Sequence, residues 1–159
     1  MNEIAEKIEL SEIIEELSLP EEDVLNDRLL QLDAKLIRGE QIECPIEHQF
    51  TEHLYIREVF IPAGTLFTTY VHKTQNPYYT LGQLLVWDKD NKWSEISGAY
   101  RGITQKGTKR VVYAITDVIW TTYHYNKDDC RLVEILEKRL FEKYENPYLS
   151  LEEIKLIAK

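Results

Sequence analysis

The sequence predicts a mainly β protein with flanking α: a jelly-roll (double-stranded β-helix) barrel preceded by a helical hairpin and followed by C-terminal helices. Three observations carry this expectation. From Ile42 the chain runs in short segments rich in Val, Ile, Thr, Tyr and Trp, separated by turn-forming pairs, which is the texture of strands in a sandwich or barrel. Before and after that stretch, apolar residues recur at helical spacing with Glu between them. Charge divides at the same places: residues 1–40 hold twelve acids and four bases, residues 41–126 hold eight of each, and residues 127–159 hold eight acids and seven bases. The expected organisation is an acidic helical hairpin over 1–40, a β-barrel over 41–126, and C-terminal helices over 127–159 that pack on the barrel or on a partner subunit.

The elements follow in order. A first helix is expected through Ile4, Ile8, Leu10, Ile13, Ile14 and Leu17, whose spacing leaves one apolar stripe to bury. Ser18-Leu-Pro20-Glu21 reads as a capping box, because the Ser oxygen and the Glu carboxylate satisfy free amide donors and Pro is allowed in the first turn. The second helix carries Val24, Leu25, Leu29, Leu32 and Leu36 and stops at Gly39, a residue that tolerates a left-handed backbone. Strands are expected at Leu54–Ile61, Thr65–His72, Gln83–Trp87, Trp93–Ile96, Arg110–Ala114 and Val118–Tyr125. Turns are expected at Pro62-Ala-Gly64, Asn76-Pro77, Asp88-Lys-Asp-Asn91, Ser97-Gly98 and Lys106-Gly107, the third closing a hairpin between two tryptophan-ended strands. A last long helix, capped by Asp128 or Asp129, would bury Leu132, Ile135, Leu136, Leu140 and Phe141 and end before Asn146-Pro147. Ser150-Leu-Glu-Glu153 repeats the capping-box pattern and opens a short terminal helix.

A chain of 159 residues is expected to form one domain with a full core. No apolar run approaches the ~18 residues of a membrane span, and the Glu-rich start lacks a signal-peptide pattern, so the expectation is a soluble, cytoplasmic protein with no membrane partner. Of the net charge of -9, -8 sits on the N-terminal arm, beside a neutral body. That distribution opposes binding to a nucleic-acid polymer, which needs a clustered basic surface to displace counterions. Cys44 and Cys130 form no CxxC pair and read as reduced structural thiols. The acidic hairpin is expected to pack on its own barrel or on a copy of itself.

The segment Gly64 to Gly82 has the glycine frame of a cupin metal motif: Gly, five residues, His, one residue, His, three or four residues, Glu, six residues, Gly. Laid from Gly64, it puts Tyr70 at the first His, His72 at the second and Asn76 at the Glu, with Gly82 one residue short of the final Gly. The second motif, laid on Gly107, places Gln105, Arg110 and Ala114 where Pro, His and Asn are expected. The glycines stay and the ligands go. Strand alternation then sends Thr68, Tyr70 and His72 from one strand, and Thr108, Arg110 and Val112 from another, toward the lumen.

A divalent transition metal wants about three or four imidazole, thiolate or carboxylate donors, and a fixed guanidinium repels it, so neither a metal nor another cofactor is expected. A guanidinium facing a polar aromatic lumen matches an anionic group instead, gripped through parallel hydrogen bonds. Trp120 and His124, or else Tyr123, are candidates to join that lumen. The competing reading is structural, with Arg110 paired inside the barrel to a carboxylate such as Glu58. No G-x-S-x-G elbow, P-loop, dinucleotide fingerprint or H-E-x-x-H is present.

The ordered run Cys44-Pro-Ile-Glu-His48, Leu54-Tyr-Ile-Arg-Glu58, Ile61-Pro-Ala-Gly-Thr65, His72-Lys-Thr74, Gly107-Thr-Lys-Arg110 and Trp120-Thr-Thr-Tyr-His124 resembles small cupin-like proteins encoded by tailed bacteriophages and prophages, over about residues 42–140. The resemblance implies a barrel with His72, Arg110, Trp120 and His124 at characteristic positions, and it carries no established activity. Asn76 stands where many such proteins have a charged or imidazole side chain. The expected function is a non-catalytic protein holding a small anionic ligand, a nucleotide or nucleotide-derived signal being one form. Tyr70, His72, Asn76, Arg110, Trp120 and His124 are its expected binding residues, and a homodimer or higher homo-oligomer its expected assembly. The alternatives are a virion structural or assembly protein without a working pocket, and a cupin enzyme using His72 as metal ligand or general base.

Overall fold

The computed structural model describes residues 5–6, 11, 13–14, 22–89, 92–142 and 146–157. Two five-stranded antiparallel sheets enclose one apolar core. The first runs in the order β1 (Ala5–Glu6), β4 (Leu66–Thr68), β10 (Arg110–Ala114), β7 (Leu84–Asp88), β8 (Lys92–Ile96). The second runs β2 (Ile46–Thr51), β3 (Leu54–Ile61), β11 (Val118–Tyr125), β6 (Asn76–Leu81), β9 (Ala99–Thr104). A two-stranded ladder joins β5 (Val71–His72) to β12 (Phe141–Glu142). Val59, Ile61, Tyr78, Val118 and Trp120 from the second sheet meet Phe67, Leu84, Val86, Val112 and Ala114 from the first. This is the expected double-stranded β-helix, with β3, β10 and β11 at the bounds read from the sequence.

The differences have local causes. Thr65–His72 is two strands rather than one, because the chain breaks its pleat at Thr69-Tyr70. Asn76-Pro77 opens β6 instead of making a turn. Pro77 pairs with Ile103 on one side only, since the β6–β11 ladder stops at Tyr78, and a strand end can tolerate the missing N–H. The edge strands β2 and β9 escaped the sequence reading because edges are mixed in polarity and mostly exposed. Asp90 and Asn91 lie outside the described residues, while Asp88 and Lys92 flank them as the end pair of the β7–β8 hairpin.

Of the expected first helix, Ser11, Ile13 and Ile14 are helical, while Ala5–Glu6 forms a strand on β4. The Ser18–Glu21 capping box lies outside the described residues. Helix α1 (Glu22–Arg38) ends beside Gly39, although Gly39 does not adopt the left-handed backbone that motivated the stop. The Gln41 carboxamide caps it instead, donating to the carbonyls of Leu36 (2.9 Å), Ile37 (3.3 Å) and Gly39 (3.2 Å). The helix lies on the outer face of the first sheet, where Ile13, Leu29, Leu32 and Leu36 bury Leu66, Trp87 and Val111.

Thr68 belongs to this outer face and not to the lumen, a correction to the alternation expected from one unbroken strand. Its hydroxyl donates to Asp33 of α1 at 2.6 Å. Helix α2 (Val133–Leu140) starts from Leu132 with no side-chain cap, and Asp128 instead holds Arg139 at 2.8 Å. Leu136, Leu140 and Phe141 are buried around Tyr55, whereas Leu132 and Ile135 are exposed, so the stripe is narrower than expected. Ser150 and Glu153 do form the reciprocal capping box of α3 (Leu151–Ile157), at 2.7 and 3.2 Å. The Asn146 amide donates to the Leu30 carbonyl at 2.8 Å, docking this end of the chain on α1. No helix among the described residues is long and apolar enough to cross a membrane.

Candidate functional site

The two glycine positions of the frame act as clamps on β10. Gly64 N–H donates to the Ala114 carbonyl at 2.7 Å, and Gly107 N–H donates to the His72 carbonyl at 2.7 Å. Both glycines have positive φ, 79° and 83°, a backbone that side chains other than glycine's rarely adopt. His72 N–H in turn donates to the Thr108 carbonyl at 3.1 Å. The clamps fix how β4–β5 and β10 lie beside each other, and so bring His72 and Arg110 to one lumen. Gly82 closes the frame for a steric reason: with φ at 125°, an added Cβ would sit 2.5 Å from the Asp117 carbonyl oxygen.

A small cavity lies at this end of the barrel. Its polar lining is Arg57, Thr69, Tyr70, His72, Thr104, Arg110 and Thr122, and Trp120 and Phe141 are among its apolar lining. The free space is ≈ 30 Å³, room for about two waters when one occupies ~10–15 Å³, and far below the ~300–1,000 Å³ of ordinary ligand pockets. Four expected residues, Tyr70, His72, Arg110 and Trp120, therefore line one cavity. Asn76 and His124 are buried beside it without lining it. Tyr123 faces the opposite side of its sheet, which leaves Trp120, Thr122 and His124 as the inward set of β11.

Arg110 is 5% exposed. Its Nη1 donates to Thr104 Oγ1 at 2.9 Å, and its guanidinium carbon lies 5.1 Å from the Tyr78 ring and 5.9 Å from the Trp120 ring. Among the described residues no carboxylate lies within ion-pair distance of it. The Glu58 pairing does not occur, because alternation turns Glu58 to the outer face, where it accepts from Thr121 at 2.9 Å. Burial lowers the Arg110 pKa, an effect opposed by Tyr78, Asp88 and Tyr100. Trp120 stacks on Tyr78 at 5.2 Å, and Tyr78 lies over Gly102 so closely that an added Cβ there would be 2.6 Å from the ring. One aromatic pair thus carries the guanidinium.

The sequence reading missed Arg57, which is 4% exposed and shares the inward side of β3 with Tyr55, Val59 and Ile61. The signal was available: Arg57 has the same parity as those three apolar residues. Burial, then Arg110, then Arg57 push the His72 pKa down to about 4, while the Asn76 carboxamide works weakly the other way. Burial, His72 and Arg57 hold His124 at about 3, and its Nε2 pairs with Thr122 Oγ1 at 2.9 Å. Both imidazoles are therefore neutral at physiological pH. Two buried polar atoms beside the cavity, Asn76 Oδ1 and His124 Nδ1, have no hydrogen-bond partner.

These residues do not suit a divalent cation. The cavity presents one imidazole against two guanidinium groups, and the repulsion that lowers the His72 pKa would act on a metal ion as well.

No protein-family model matches the chain, and no curated protein matches its sequence. Among solved structures it is similar to an ectoine synthase from P. lautus, with 9% identity over 70% of this chain and 83% of that one and a TM-score of 0.51. It is also similar to an RmlC-like cupin family protein with a double-stranded β-helix fold from Methanocaldococcus jannaschii, at 13% identity, 54% and 82% coverage and a TM-score of 0.44. A putative ethanolamine utilization protein Q from Salmonella typhimurium gives 10% identity, 54% and 71% coverage and a TM-score of 0.44. The likeness is one of fold.

Proposed function

We propose that the barrel binds a compact anion, a single carboxylate-sized group, without catalysing a reaction on it. The observation that carries this reading is Arg110, a guanidinium at 5% exposure with a hydroxyl and two aromatic faces around it and, among the described residues, no carboxylate within ion-pair distance, its cross-strand neighbour Asp88 acting on it only from farther off. Cation–π contacts contribute ~0.5–2 kcal/mol, whereas taking a charge out of water costs several kcal/mol, so the surroundings offset only part of the cost. An anion would supply the rest. Arg57 lines the same space, and neutral His72 offers one donor and one acceptor to the same ligand. The ≈ 30 Å³ of free space favours a short carboxylate over a nucleotide, which would have to displace the cavity wall.

The test is thermal stability of the wild type and of Arg110→Met across formate, acetate, phosphate and a nucleoside monophosphate. A ligand at 100 times its Kd stabilises by ~2.7 kcal/mol, which a small domain reports as a rise of several degrees in Tm. The expected result is a rise with a small carboxylate in the wild type and none in the variant. Equal responses of both proteins, or no response to any anion, would sink the reading.

A further inference from the structure

The outer faces of the two sheets are treated differently by the chain. The first is covered by α1, while the second leaves Phe60 at 40%, Leu81 at 46% and Ile103 at 52% exposure. We infer that this second face is a self-association surface, which seats a second copy of the chain across a two-fold axis running along β11. The argument comes from register. β11 is the middle strand of five, so an axis parallel to it exchanges β2 with β9 and β3 with β6 while keeping each cross-strand row in place.

The charged row and the apolar row beside it survive that exchange. One row reads Glu47, Glu58, Thr121, Tyr79, Arg101 from one edge of the sheet to the other. Reversed on a second copy, it sets each Glu47 against the partner's Arg101, each Glu58 against the Tyr79 position, and Thr121 against itself. Glu47 and Arg101 stand at opposite ends of a single row, so the two ends of that row are electrostatic complements. The next row, Phe60, Ile119, Leu81 and Ala99, is apolar throughout and meets apolar residues in reverse. On the other side, Ile56 comes to Pro77 and Tyr123 meets itself, while the ends of the row set Gln49 against Ile103 at the rim.

Size agrees with a dimer. Five strands at ~4.8 Å spacing and about six residues at ~3.3 Å rise give a face of roughly 24 by 20 Å. Its projected area is on the order of 500 Å², and side-chain relief takes the accessible area toward the ~800 Å² per partner of a standard interface. The lumen site faces the other side of the same sheet, so association leaves its lining residues untouched.

Charge swaps test this in the full chain. Wild type is expected to run as a dimer in light scattering and sedimentation at micromolar concentration. Glu47→Arg and Arg101→Glu each place like charges together twice per dimer, and each alone is expected to weaken association at least tenfold. An equimolar mixture of the two variants restores both opposite-charge contacts, and it is expected to form a heterodimer that neither variant forms with itself. Circular dichroism of each variant confirms folding at these exposed positions. A wild type that stays monomeric at high micromolar concentration overturns the inference and leaves the face to a different protein. So does a dimer whose affinity neither swap changes, since it must use another surface.

Discussion

Lys109 and Arg110 are neighbours in sequence, both cationic and both largely withdrawn from solvent, the Lys109 side chain 12% and Arg110 5% exposed, and they face opposite sides of the same sheet. Lys109 points to α1, where its Nζ lies 3.1 Å from Asp33 Oδ2 and donates to the Thr69 carbonyl at 2.7 Å. Burial lowers its pKa and Asp33 opposes the shift. Arg110 points to the lumen and finds a hydroxyl and two rings. The charge and the burial are alike; the pairing differs. A buried cation marks structure when a carboxylate comes with it from the same fold, and the proposed anion site rests on the cation that has none within ion-pair distance.

Three measurements would break or sharpen that contrast. The largest effect belongs to the helix side: Asp33→Ala leaves Lys109 buried without its carboxylate and is expected to cost ~3–5 kcal/mol in urea denaturation. Replacing both partners, Asp33→Leu with Lys109→Met, should recover most of that loss. A small loss in the single variant would mean that the pair is no more structural than the lumen charge.

Acid titration comes next and reads the lumen side. The folded protein holds His72 near 4 and His124 near 3 against an ordinary value of 6.5, so between those values and 6.5 the unfolded chain binds more protons. Stability is then greatest above pH 6.5 and falls as pH drops through the window, by on the order of 3 kcal/mol from His72. His72→Gln should make that slope shallower, with His124 still contributing over the same window, and Lys109→Met should leave it unchanged. A slope indifferent to His72 would contradict its burial as a neutral group.

The smallest effect is Arg110→Met in the absence of any added anion. Because its surroundings offset only part of its burial cost, replacing Arg110 with Met is expected to be neutral or stabilising, by about 1 kcal/mol. A loss as large as that of Asp33→Ala would place Arg110 with Lys109, as structure.

Much of the barrel was legible because alternation and punctuation are local. β3, β10 and β11 could be bounded from residue types alone, and the glycine frame pointed to His72 and Arg110 before any geometry was known. What escaped depends on partners distant in the chain. Thr68 was assigned to the lumen because nothing local reveals that the strand breaks at Thr69-Tyr70. Arg57 was passed over for Glu58, although only one of the two shares the parity of Tyr55, Val59 and Ile61. Edge strands β2 and β9 owe their state to a neighbour rather than to their own pattern, as does Ala5–Glu6, whose place is set by β4.

The pairing of β3 with β11 has a consequence for how the protein is made. Leu54–Ile61 finds its β2 partner at once through a short hairpin, but its other neighbour is Val118–Tyr125, and β4 waits likewise for Val111–Tyr113. At ~5–20 residues per second, a ribosome takes several seconds to supply them. Until then the inward sides of β3 and β4 have no complete core to enter, and neither sheet can close. Residues 1–40, with twelve acids and four bases, precede these strands in the chain, and a net charge of that size opposes close approach of two unfinished barrels.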